Sequence, residues 1–179
     1  MQITKTREIN LCALFAALTA VLSQIVIPIG PVPINLATFA VFCAGALLGA
    51  KLATLSLMIW AALGIVGVPV FAMFRSGLDA LAGPTGGFIA GYIPAAFVIG
   101  YLVEKIKKES LYPFAMLIGM LTYFSLGTAW FMYSTNVSFS VALMTCVLPF
   151  LPGDIFKIAA ATVLVRRTKR LNLTLLMCR

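Results

Sequence analysis

The sequence predicts an all-α integral membrane protein with six transmembrane helices and both termini in the cytoplasm. Three observations carry that expectation. Of 179 residues, 62% are hydrophobic and only 10% charged, whereas soluble domains of this size are near half apolar and a quarter charged. The apolar residues fall into six runs that do not alternate, so a β-barrel with a polar lumen is excluded and helices remain, because lipid offers backbone N–H and C=O groups no other partner. Basic residues, finally, crowd onto one side of those runs. At about 20 residues per crossing plus short loops, the length holds one unit. Residues 1–179 are therefore read as one domain.

The runs cover residues 9–29, 36–50, 52–70, 86–103, 112–133 and 138–165. The first follows Lys5 and Arg7; it exceeds a signal-peptide core in length, and Leu18-Thr19-Ala20 lacks the small −3 residue of a cleavage site, so it reads as a retained helix. Ala13, Ala16, Ala17 and Ala20 form a small-residue stripe along it, suited to close approach of another helix. It is read as a partner-docking surface, with internal packing as the alternative. Gly45/Gly49 and Gly87/Gly91 repeat the spacing in the second and fourth runs. The second run is short and ends at Lys51, and the sixth is long, so neither is a simple straight crossing.

Lys5, Arg7, Lys51, Lys105, Lys107, Lys108, Arg166, Arg167, Lys169, Arg170 and Arg179 all fall on one side, 11 of the 13 basic residues. The positive-inside rule places that side in the cytoplasm. It also accounts for the formal net charge of +8, so no nucleic-acid partner is needed. Tail residues 171–179 are too short to span and are read as interfacial.

Function classes fall away with composition. The chain has no His, which removes HExxH, Ser/His and His-zinc chemistry. Cys12, Cys43, Cys146 and Cys178 make no CxxC pair and read as small packing residues. No residue is nominated as a catalyst or metal ligand, and the absence of a P-loop means the chain does not itself harvest ATP.

Two ionisable residues, Asp154 and Lys157, lie inside an apolar run. A charge at mid-membrane costs about 2.5–3.5 kcal/mol on insertion scales, so such residues face a cavity or each other. Their i, i+3 spacing puts them on one helix face. Counting ~1.5 Å per residue back from Arg166 puts Lys157 ~14 Å and Asp154 ~18 Å above the cytoplasmic interface. Pro149, Pro152 and Gly153 break the helix just before them, leaving Asp154 near a fresh helix start, the kind of broken segment that marks transporter sites. The alternative is an ion pair that only fixes the sixth helix.

Other outer-side elements point to the same place. The stiff loop 29–35 is a candidate lid. Arg75 is the single cation of the outer connections; it suits a carboxylate clamp, or pairing with Asp79 or a lipid head group. The glycines in Gly83-Pro84-Thr85-Gly86-Gly87 suit a turn with close backbone approach. A carboxylate, an ammonium and a guanidinium around an apolar, aromatic pocket fit a ligand with neutral N–H and C=O groups at one end and an anionic tail at the other.

Pro31-Val32-Pro33-Ile34, Gly67-Val68-Pro69-Val70-Phe71, Gly83-Pro84-Thr85-Gly86-Gly87-Phe88 and Leu151-Pro152-Gly153-Asp154-Ile155-Phe156-Lys157, in that order, resemble the BioY family of biotin-specific S-components of energy-coupling factor (ECF) transporters. The resemblance covers nearly all of residues 8–167. It implies a six-helix protein that captures biotin from outside. Asp154 and Lys157 would hydrogen-bond the ureido head and Arg75 would receive the valerate carboxylate. Ala13 and Ala17 would match the AxxxA motif that docks on a transmembrane coupling protein, which works with two ATPase subunits. Biotin is then the transported ligand, and no cofactor is expected. Asn35 and Ala37 stand where the family pattern PVPITLQT has Thr and Gln. Asn35 is a further substrate-site candidate, and Tyr92 is another, chosen by depth and aromatic type. The competing readings are a stand-alone proton-coupled or facilitative transporter of biotin or a related small carboxylate, and an intramembrane aspartyl protease using Asp79 and Asp154, which the lack of a GxGD signature disfavours.

Overall fold

A computed structural model describes residues 2–28, 31–106 and 108–170, with only the backbone of residues 2–4. Ile29, Gly30, Lys107, and tail residues 171–179 with Cys178 and Arg179, lie outside the described residues. The chain is mainly helical, in the order α1 (Gln2–Ser23), β1 (Val26–Ile27), β2 (Ile34–Asn35), α2 (Ala37–Ile65), α3 (Leu78–Ala82), α4 (Gly86–Lys105), α5 (Tyr112–Thr135), α6 (Phe139–Cys146) and α7 (Leu151–Arg170), with 3₁₀ turns at Ala72–Phe74 and Glu109–Leu111. Among the described residues four helices are long and apolar enough to cross a membrane, and five crossings result if α6 and α7, bent by 48°, form one.

The second and third apolar runs, expected as separate helices, share the single element α2. The helical conformation breaks at Gly49, with φ 78° and ψ 179°, a left-handed φ that glycine adopts at little cost. From α4, the Glu104 carboxylate accepts the freed Ala50 N–H at 2.8 Å. Gly100 lies so close that a Cβ there would stand 2.3 Å from the Ala50 nitrogen. Before the break, Gly45 faces Ala96 and Ile99, and Gly49 faces Gly100 and Glu104; this half runs along α4 in the same sense. Beyond it, Ala50 faces Gly100 while Trp60 stacks 6.0 Å from Tyr92, so the second half runs back against α4. The third run was expected to continue to residue 70, but the helix ends at Ile65, ahead of Gly67 and Pro69.

Glycine and alanine faces set the packing. Gly91 meets Tyr123, Gly87 meets Trp130 and Gly119 meets Ile99, so α4 and α5 pack as close antiparallel neighbours. The Gly45/Gly49 and Gly87/Gly91 stripes are thus used inside the molecule, where small residues let backbones approach. Helix α1 packs on the second half of α2, with Ser56 donating to the Cys12 carbonyl at 3.0 Å. Cys12, Cys43 and Cys146 are buried, and the Cys12 thiol donates to the Leu52 carbonyl at 3.5 Å. At one end of the bundle the aromatic rings of Phe42, Trp60, Phe71, Tyr92, Tyr123 and Phe124 form a continuous cluster. The opposite end carries Lys51, Lys105 and Arg166.

Candidate functional site

The aromatic cluster walls a cavity of about 290 Å³, at the small end of the range for ligand sites. It is built by the end of α1, the hairpin loop before α2, the start and far half of α2, the turn at 71–75, α3, the N-terminal part of α4, and the facing surfaces of α5 and α7. β1 and β2 pair antiparallel, Val26 with Asn35 and Ile27 with Ile34, and Pro28 beside them lines the cavity. Val32 is buried, and Pro31 and Pro33 face the cavity.

Asp154 and Lys157 both line this cavity and are 1% and 6% exposed. The helix break expected over residues 149–153 occurs slightly earlier, between Cys146 and Leu151. Pro152 and Gly153 belong to the first turn of α7, where the missing proline N–H leaves no bond unmade. Asp154 closes that turn, so its negative charge meets the positive end of the helix dipole. The ammonium of Lys157 donates to Asp154 Oδ1 at 2.7 Å, to Thr38 Oγ1 at 2.9 Å and to the Asn35 carbonyl at 2.7 Å. All three of its donors are engaged. Thr38 donates to Asp154 Oδ1 at 3.1 Å, and the Tyr123 hydroxyl donates to Oδ2. Two opposite charges are thereby fully solvated by protein, the condition under which a buried pair is tolerated.

Asn35 contributes mainly through its backbone. Its carbonyl holds Lys157, while its side-chain oxygen accepts the Ala37 N–H at 3.0 Å, an Asx turn that starts α2. Its side chain also interacts with Tyr92. Tyr92 is buried in the cavity wall with its ring edge-on to Tyr123 at 5.5 Å, so packing and lining are one role here. Arg75 lies exposed at the rim and makes no ion pair with Asp79. Asp79 is exposed on α3, unlike buried Asp154 with its Lys157 partner, so the two carboxylates do not form a catalytic dyad. Three site residues escape sequence inspection: Thr38, Tyr123 and Trp60. A hydroxyl inside an apolar run is the available signal, but Thr38 is 116 residues from Asp154 and Tyr123 is 31, so only the fold shows that they meet.

The turn at 71–75 is unusual. Phe71 N–H donates to the Arg75 carbonyl at 3.0 Å, closing a tight loop in which Met73 and Phe74 have φ of 61° and 56°. Left-handed backbone at non-glycine residues costs about 1–3 kcal/mol each and persists only where surroundings impose it.

The α1 stripe divides in two. Ala13 and Ala17 are exposed, but Ala16 is 2% exposed and Ala20 packs on the core. This corrects the expectation of a single docking face: residues 13 and 16 differ by about 60° around a 3.6-residue helix, enough to turn Ala16 inward.

The family model described as "BioY family" matches residues 1–173. The chain belongs to the BioY family. The "Probable biotin transporter BioY" of Pyrococcus horikoshii is 40% identical over 91% of this chain and 96% of the relative. The "Biotin transporter BioY" of Thermotoga maritima is 36% identical over 93% and 98%. A crystal structure of the S-component for biotin from an ECF-type ABC transporter superposes with a TM-score of 0.89 at 28% identity, covering 95% of this chain and 94% of that one. The four motif stretches that carry the BioY resemblance all place residues on the one cavity: Pro31 to Pro33, Phe71, Thr85 with Phe88, and Asp154 with Lys157.

Proposed function

We propose that this chain is the substrate-capture subunit of an ECF-type ABC transporter, binding biotin from outside and delivering it to the cytoplasm with a transmembrane coupling protein and two ATPase subunits. The observation that carries this reading is the hydrogen-bonded Asp154–Lys157 pair lining an aromatic cavity in a chain whose relatives are biotin transporters. The carboxylate of Asp154 suits the two ureido N–H groups, and Lys157 suits the ureido carbonyl. Because every Lys157 donor is engaged, the carbonyl replaces one protein acceptor; Thr38 is the one that keeps a second hydrogen bond, donating to Asp154, when Lys157 leaves it. Trp60, Phe71 and Tyr92 offer apolar walls to the bicyclic ring, and Arg75 at the rim meets the carboxylate.

Topology supports the same reading. The chain reverses at Gly49, so α1, the two halves of α2, α4, α5 and the bent α6–α7 pair make six crossings within one domain over residues 1–179. The basic residues gather at the end away from the cavity, and the positive-inside rule favours both termini in the cytoplasm with the cavity mouth outside. Isothermal titration of the detergent-purified protein with biotin tests the assignment: a saturable one-to-one isotherm is expected, and its absence overturns it. Mass spectrometry of the co-purifying small molecule gives an independent check.

A further inference from the structure

We infer that Gln24, which does not line the cavity, is a positioning residue that sets the rim cation Arg75. Gln24 follows directly on α1 and grips the neighbouring loop from both chemical sides. Its Nε2 donates to the Phe71 carbonyl at 3.1 Å and the Pro69 carbonyl at 3.3 Å, and its Oε1 accepts the Phe74 N–H at 2.9 Å. Ser23 adds a hydrogen bond to the Val70 carbonyl. The gripped segment is the one that cannot hold its shape unaided. Met73 and Phe74 are left-handed without being Gly or Asn, and their side chains are 54% and 71% exposed, so burial does not pin them. The ends of the loop are tied by Phe71 N–H to the Arg75 carbonyl. Ser23 and the Trp60 indole N–H hold the Val70 carbonyl before the turn, whereas the Gln24 amide reaches the strained Phe74 itself, an external constraint of the kind a left-handed backbone requires, and Arg75 is the next residue along.

The inference rests on the reading that Arg75 receives the ligand's carboxylate. Without Gln24 the turn relaxes toward ordinary φ values and the guanidinium loses its fixed place over the cavity. Affinity for the anionic end should then fall, while the buried ureido subsite, on α2, α5 and α7, stays as it is.

Biotin and biotin methyl ester separate the two ends of the ligand. Titrations of wild type, Gln24→Ala, Arg75→Ala and the double variant should show that wild type prefers the acid over the ester. Gln24→Ala should lose roughly tenfold of that preference, as expected for a weakened charge-assisted hydrogen bond, with ester affinity unchanged. The double variant should match Arg75→Ala alone. If Arg75→Ala erases the preference but Gln24→Ala weakens both ligands equally, or neither, the positioning role is overturned while the carboxylate reading survives. If Arg75→Ala leaves the preference intact, the reading of Arg75 fails and the role of Gln24 with it.

Discussion

At the residue scale the decisive chemistry is charge in a place without water. Asp154 and Lys157 are stable there because Thr38, Tyr123 and the Asn35 carbonyl complete their shells. Removing one charge leaves the other buried without a partner, a change of about 3–5 kcal/mol. Lys157→Ala should accordingly lower thermal stability in detergent as well as abolish measurable biotin binding, both followed on one preparation by scanning fluorimetry and titration. Tyr123→Phe is milder. It keeps the ring against Tyr92 and Phe124 but removes one donor to a carboxylate, so affinity should drop by roughly tenfold with the fold intact. An unchanged isotherm would show that the hydroxyl plays no part in the site.

At the element scale the break in α2 and the two faces of α1 set the architecture. A Cβ at position 100 would meet the Ala50 nitrogen and the Gly49 carbonyl carbon at 2.3 and 2.4 Å. Gly100→Ala should therefore push α4 off the Gly49 turn and destabilise by at least the 1–3 kcal/mol typical of overpacking, read as a lowered melting temperature. Along α1 the two halves of the alanine stripe should respond oppositely. Ala16→Leu, buried against the core, should impair folding. Ala13→Leu, on the exposed face, should preserve biotin binding and block uptake only when the coupling protein and ATPases are co-expressed. Uptake assays paired with titration separate these outcomes, and normal uptake by Ala13→Leu would remove the docking role.

At the scale of the whole molecule, charge distribution and cavity position are linked. The exposed Ser138, between α5 and α6, and the exposed Ser110, before α5, fall at opposite ends of the bundle. In a Cys178→Ser background, an impermeant maleimide applied to intact cells should label Ser138→Cys, whereas Ser110→Cys should react only after permeabilisation. The reverse pattern would invert the topology and place the cavity mouth in the cytoplasm.

Apolar run length, one-sided Lys and Arg residues and the i, i+3 charge pair were legible from residue order, because membrane insertion acts on local composition and helix geometry maps spacing directly onto a face. So were a fresh helix start near Asp154, which falls at Leu151, and the proline and glycine motifs of the family. The union of the second and third runs into one element, the inward turn of Ala16, the meeting of Thr38 and Tyr123 with the ion pair, and the placing of Trp60 on the same cavity depend on how helices dock. Docking is governed by close backbone approach at positions such as Gly100 and by hydrogen bonds that join distant segments. A sequence carries those long-range partners only implicitly; the tertiary structure decides them because a buried carboxylate is satisfied by whichever donors the packed helices bring within hydrogen-bonding reach.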